Sequence, residues 1–254
     1  MAGNKGNWSD TTRHALRAGT ARVSAAAGWR LSHLAARLNT TRPAPEDDDH
    51  ASTPERTLAG DRDVEWAWCF GHLPAEPTRV MDFGAGNGFL SLGAAFRGHE
   101  VVSVDLEPQS FAFEEPRIEY RRGNLLEMDL GSERFGHIIN CSSIEHVGLA
   151  GRYGSPDVPD GDLEAMRKME ALLTPGGTMS FVAPVGRDAV FPPLHRVYGE
   201  ERLPRLLGEL EIVEEEYRAK VHGDSWHPVD RATALAEEGS PSYYAIGLFF
   251  LRRA

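Results

Sequence analysis

The chain has 254 residues, 41% hydrophobic and 26% charged, enough for one α/β domain with a modest appendage and too few for two full domains. Its formal net charge of -11 argues against a nucleic-acid partner, because binding phosphates calls for a basic face, and a small-molecule ligand is expected instead. Cys69 and Cys141 are the only cysteines and lack metal-type spacing, and no apolar run reaches the length of a membrane span; disulfide scaffolds, structural zinc sites and membrane spans are set aside, and a cytoplasmic protein is expected.

The charge is uneven. Residues 1–42 carry Lys5, Arg13, Arg17, Arg22, Arg30, Arg37 and Arg42 against Asp10 alone. Ala15, Val23, Ala26, Trp29, Leu31, Leu34 and Leu38 recur there at loose helical spacing, which predicts a basic amphipathic helical segment or lid. The preponderance of Arg over Lys suggests a GC-rich bacterial gene. Residues 43–60, opening with the Pro and acid run Pro43-Ala44-Pro45-Glu46-Asp47-Asp48-Asp49, read as a linker. The main domain then occupies 61–254.

A helix is predicted over 61–73, ended by Pro74 and Pro77. Strand 79–83, helix 88–97, strands 100–104, 118–121 and 136–141, helix 161–173, strand 178–183 and helix 199–208 follow in alternation. Strands 211–218 and 243–251 close the chain with no helix between them. Alternation of this kind implies a doubly wound, mostly parallel sheet covered on both faces.

Val80-Met81-Asp82-Phe83 runs straight into Gly84-Ala85-Gly86-Asn87-Gly88 and then an apolar helix. Glycines between a strand end and a helix N-terminus let the backbone approach a ligand and adopt positive φ. Dinucleotide folds use G-x-G-x-x-G to seat a pyrophosphate. Here the third glycine comes one residue early, and Asp82 would set a negative charge beside a phosphate, whereas it suits a cationic amino group. Val101-Val102-Ser103-Val104-Asp105 is a second buried strand ending in a carboxylate, suited to two ribose hydroxyls.

With these residues in place, the sequence resembles the class I S-adenosylmethionine-dependent methyltransferases over residues 60–254. Their motif of an acidic residue and three glycines is matched by Asp82, Gly84, Gly86 and Gly88, and their ribose acid by Asp105. Gly123-Asn124-Leu125 resembles the adenine-contacting step, with Asn where the family more often has Asp. Leu172-Leu173-Thr174-Pro175-Gly176-Gly177 resembles the turn before the fifth strand. The resemblance implies a seven-stranded sheet with its last strand antiparallel. It also implies S-adenosylmethionine as cofactor, S-adenosylhomocysteine as product, and Ala85, Leu106, Leu125 and Ser142 as further cofactor contacts.

Catalytic residues should follow strands four and five, since ligands of open α/β sheets lie outside the strands' carboxyl ends. Glu145-His146 after strand four resembles the Glu-His step of small-molecule O-methyltransferases such as those of ubiquinone synthesis. His146 is a candidate base, Glu145 its orienter or a substrate ligand, and His195 after strand five the alternative base. Metal-dependent relatives use Glu-x-x-Glu-His plus a distant His. Ser142 stands at the first Glu position, so a metal held by Glu145, His146 and His195 is not expected. Arg152, Tyr153, Arg196 and Tyr198 are candidate acceptor contacts, residues 148–161 an active-site loop, and His222, Asp224, Trp226 and His227 a further wall. Similar motif runs occur in a little-characterised methyltransferase-like family found near carbohydrate and natural-product genes. A hydroxylated small molecule is therefore the expected acceptor, methylated on oxygen. Nitrogen and carbon methylation, and a binding protein that keeps the fold without the chemistry, stay open.

Overall fold

The structure, a computed structural model, describes residues 56–108, 115–151, 153 and 156–254. The basic segment 1–42, most of the linker and Arg152 lie outside the described residues.

Helix α1 (Asp61–Gly71) opens after Gly60 with Asp61 and Asp63 in its first turn, where carboxylates favour the positive end of the helix dipole. Strand β1 (Arg79–Phe83), helix α2 (Phe89–Phe96), and strands β2 (Glu100–Asp105), β3 (Ile118–Arg122) and β4 (Phe135–Cys141) follow. A 3₁₀ turn (Ile144–His146), helix α3 (Gly161–Leu172) and the long strand β5 (Leu173–Val185) come next, then the short strands β6 (Ala189–Phe191) and β7 (His195–Val197). Helix α4 (Arg202–Leu207), strand β8 (Glu211–Ala219), strand β9 (His227–Val229), helix α5 (Arg231–Ala236) and strand β10 (Ala245–Arg252) complete the domain.

The main sheet has eight strands in the order β3-β2-β1-β4-β5-β10-β8-β9. The first five are parallel; β10 pairs antiparallel with both β5 and β8, and β9 antiparallel with β8. The doubly wound sheet therefore matches expectation, with an eighth strand added at the edge. The last two long strands are separated by β9 and α5, which the sequence reading omits because three strand residues and six helical ones carry too little periodicity to register. The stretch 189–197, to which the sequence reading assigns no element, is a β6–β7 hairpin forming its own small sheet.

Alternation along the strands divides the core. Met81, Phe83, Val102, Ile138 and Phe181 face α3, α4 and α5 through Met166, Met169, Leu203, Leu206 and Ala234. Val80, Val101, Ile139, Val182 and Leu248 face α1 and α2 through Trp68, Cys69, Leu90 and Ala94. Because both faces are covered, β10 reads as the continuous apolar run Ala-Ile-Gly-Leu-Phe-Phe-Leu, nearly all of it buried.

Residues 56–60, placed by sequence in the linker, are fastened to the C-terminal half. Arg56 pairs with Glu237 and lies over the Tyr243 ring, and the Ala59 carbonyl accepts from Trp226 Nε1 and Lys220 Nζ. No helix among the described residues is long and apolar enough to cross a membrane.

Candidate active site

Strands β1, β2 and β4 end at one cleft, a cavity of about 470 Å³. Sheet pairing runs on past β1: the Val104 carbonyl accepts from Gly84 N (2.9 Å) and Ala85 N (3.3 Å). Gly84, Gly86 and Gly88 take φ of 66°, 53° and 69°, a left-handed conformation at every second residue that L side chains resist. A Cβ on Gly84 would stand 2.3 Å from Ser143 Oγ, so this glycine is needed for contact with the β4 end; a Cβ on Gly86 would meet nothing nearer than 4.0 Å and would point into open space. The loop is thus a cradle with room above it.

Two carboxylates frame it. Asp105 accepts from Gly86 N through Oδ2 and from Glu107 N through Oδ1, both at 2.8 Å, and so pins the loop to the end of β2. Each oxygen keeps a second lone pair for a hydroxyl. Asp82 is buried and accepts from Ser91 Oγ at 2.6 Å. Burial pushes its carboxyl from 3.8 up to about 6; the bonds from Ser91 oppose the rise, and the charge of Asp105 adds to it. Among the described residues, the charged side chains lining the cavity are Asp82, Asp105, Glu107 and Arg62, a negative balance that favours a cation. Asn124 also lines it, its Oδ1 accepting from Leu126 N and its Nδ2 donating to Glu127. Leu106, Leu125, Ala85 and Ser142 line the cavity too, while Gly88 serves as the N-cap of α2.

His146 and Tyr153 line the same cavity, their rings edge to face with centroids 5.6 Å apart. His146 Nδ1 lies 2.5 Å from the Leu194 carbonyl. A carbonyl only accepts, so Nδ1 carries a proton and donates it, which leaves Nε2 as the nitrogen that takes up or releases the second proton. Glu145 is buried beside it, with Oε1 3.7 Å from His146 Nε2. The imidazole is therefore oriented by the turn of the β6–β7 hairpin, and Glu145 approaches the nitrogen that would gain charge.

His195, Arg196 and Tyr198 do not line the cavity. His195 is buried against Phe191 and Tyr244 and donates from Nε2 to the Ser240 carbonyl. Arg196 is 2% exposed; its guanidinium donates to the carbonyls of Val147 (2.6 Å) and Pro159 (3.3 Å) and stands 3.8 Å from Asp162. Tyr198 is wholly buried, and burial together with the charges of Asp162 and Glu145 raises its phenol well above the ordinary value. The structure thus places the alternative base His195 and the candidate acceptor contacts Arg196 and Tyr198 in the interior rather than in the cavity: strand β7 is buried throughout, and its arginine holds the carbonyls of Val147 and Pro159 that flank the loop. Arg202 completes the fastening with two bonds to Asp162. His222, Asp224, Trp226 and His227 likewise stand outside the cavity lining, Trp226 holding Ala59 instead. No group of three metal-ligating side chains gathers among the described residues, so Glu145, His146 and His195 do not converge.

Helix α1 supplies residues absent from the sequence reading. Arg62 and Trp66, one turn apart, line the cavity, with Trp66 stacked on Phe89 at 4.5 Å. Glu65 lies beneath them, fully buried. A signal was present: Glu65 falls three and four residues before Trp68 and Cys69, which places a carboxylate on the apolar stripe of the helix.

Residues 126–234 match a family described as Caenorhabditis protein of unknown function, DUF268. Over 142 residues the chain is 32% identical to the ubiquinone biosynthesis O-methyltransferase of Azorhizobium caulinodans, covering 51% of each chain. Over 121 residues it is 29% identical to the magnesium-protoporphyrin O-methyltransferase of Rhodobacter capsulatus, covering 44% of this chain and 50% of that protein. The chain spans about half the length of these curated relatives. Among solved structures, the N-methyltransferase NodS from Bradyrhizobium japonicum WM9 is similar with a TM-score of 0.50 at 15% identity, over 76% of this chain and 96% of that one.

Proposed function

We propose that this chain, which has the class I S-adenosylmethionine-dependent methyltransferase fold, methylates a hydroxyl oxygen of a small molecule, a sugar or natural-product intermediate, with S-adenosylmethionine as donor. The observation that carries the reading is that one cavity is lined both by an acidic glycine cradle, assigned as its first end, and by an oriented imidazole, assigned as its acceptor end. The first end fits the cofactor chemically: Asp82 and Asp105 suit an ammonium group and ribose hydroxyls, and the space above Gly86 admits close approach. When bound, the cofactor supplies a methyl group on a positively charged sulfur, already reactive toward an oxygen lone pair.

The rest falls to the chain's own side chains. Tyr153 walls the acceptor end beside His146, and holding acceptor and donor in line converts an encounter of two molecules into one step. His146 Nε2 removes the acceptor's hydroxyl proton, while the Leu194 carbonyl keeps Nδ1–H in place and Glu145 stabilises the imidazolium formed. A positioned base of this kind contributes on the order of 10²–10⁴ in rate.

The test is incubation of the purified protein with methyl-labelled S-adenosylmethionine and a metabolite extract, with and without chelator, followed by mass spectrometry of labelled products. A labelled methyl ether formed equally in both arms supports the reading. Binding of the cofactor without transfer to any metabolite would leave a binding protein and refute it.

A further inference from the structure

Glu65 belongs to none of the motifs around the glycine loop, yet both its oxygens are bonded. Oε1 accepts from Ser142 Oγ and Oε2 from Arg62 Nη1, each at 2.5 Å, and Cys141 Sγ lies 3.8 Å from Oε2. The carboxylate is fully buried, and burial raises its pKa against the opposing effects of Arg62 and Ser142. Ser142 is the only non-glycine among the described residues with positive φ, at 46°. Asn and Asp enter that region by bonding to their own backbone; a serine does so more weakly, and here its hydroxyl is spent on Glu65. The next residue meets the cofactor loop, since Ser143 Oγ lies 3.2 Å from the Gly84 carbonyl and 2.4 Å separates the Ser143 Cβ from where a Gly84 Cβ would stand. Any relaxation of Ser142 therefore moves the surface against which Gly84 is packed.

We infer that Glu65 is a positioning residue for the cofactor: by holding the Ser142 hydroxyl from helix α1, it keeps the end of β4 in the left-handed conformation that aligns residues 142–143 with Gly84. Arg62, Cys141, Ser142 and Ser143 all line the cavity, so this chain of contacts carries the seating of α1 directly to the bound ligand. The inference rests on the reading that the acidic end takes S-adenosylmethionine. It differs from a simple structural anchor in one respect. An anchor matters whatever residue stands at 142, whereas a positioning contact becomes dispensable once that residue adopts positive φ unaided.

A double-mutant cycle separates the two. Binding of S-adenosylhomocysteine is measured by calorimetry for the wild type, Glu65→Ala, Ser142→Gly and the double variant, with denaturant unfolding of each ligand-free protein. Glu65→Ala is expected to weaken binding about tenfold, the cost of restoring an unsupported left-handed residue. In the Ser142→Gly background the same substitution is expected to cost less than about threefold, since glycine takes positive φ without strain. Equal losses in the two backgrounds, or no loss in the first, would overturn the inference. Should Glu65→Ala fail to fold, Ser142→Ala breaks the same bond; it must bind more weakly than both wild type and Ser142→Gly, and equal affinity refutes the positioning role. If the wild type binds no S-adenosylhomocysteine, the functional reading fails, while the coupling between positions 65 and 142 remains readable in the unfolding data.

Discussion

Replacing Asp82 with Asn removes a carboxylate that the end of β1 holds 1% exposed beside Ser91. Its rise from 3.8 to about 6 means that the ligand-free fold disfavours the ionised form. At about 1.4 kcal/mol for each power of ten, ionised Asp82 costs the ligand-free protein about 3 kcal/mol near neutral pH and above. The sign follows from the direction of the shift. A folded-state value above the unfolded one gives a contribution fully present below about pH 4 and lost as the pH rises through about 6. Asp82→Asn should therefore be more stable than wild type near pH 8, by about 2 to 3 kcal/mol after a small allowance for the altered Ser91 bond. The gap should narrow to about half that near pH 5. The same variant should bind S-adenosylmethionine about ten- to a hundredfold more weakly, because a charge-assisted bond to the ammonium is lost. Urea unfolding of the ligand-free proteins at the two pH values, paired with calorimetric titration, reads both effects. If Asp82→Asn is less stable than wild type by an amount independent of pH, the carboxylate is a net stabiliser and the desolvation reasoning is wrong.

Other substitutions separate the remaining roles. His146→Ala should lower the turnover number by about 10²–10⁴ while cofactor affinity changes less than about twofold, because the ring acts on the acceptor proton; single-turnover and binding measurements distinguish the two. His195→Ala should act on stability, lowering the melting temperature by removing a buried ring packed on Phe191 and Tyr244, and an unchanged melting temperature would contradict its packed environment. Arg196→Ala strips the carbonyls of Val147 and Pro159, and Asp162, of a buried partner, so a loss of about 3 kcal/mol and faster proteolysis within 148–161 are expected; protection equal to wild type would show the loop to be held by Arg202 alone. Gly86→Ala places a methyl group in the cavity at φ 53°, and calorimetry should register weaker cofactor binding together with a stability loss of about 1 to 2 kcal/mol.

The cofactor end was legible because every residue that builds it lies at or just beyond the end of a strand. Asp82, the three glycines and Asp105 fall within a span of 24 residues, and a strand–loop–helix pattern declares where such residues point. The acceptor end has no comparable grammar. His146 and His195 are comparable candidates in one dimension, each following a strand, with Glu145 beside the one and Arg196 beside the other. Only the folded chain separates them by place, since His146 lines the cavity and donates to the Leu194 carbonyl, while His195 is buried and donates to that of Ser240. Arg196 and Tyr198 were misplaced for the same reason. A three-residue hairpin strand leaves no periodic trace, so the side to which β7 turns its side chains was set by packing against Asp162 and Glu145. Glu65 meets Ser142 across 77 residues, a contact made by burial of a whole helix. The sequence by itself determined the fold class, the glycine cradle and its two carboxylates, because these are properties of local pattern. Tertiary structure alone decided which histidine faces the cavity, what orients it, and how α1 reaches the cofactor loop, because each depends on which side chains long-range packing leaves in the cleft and which it buries.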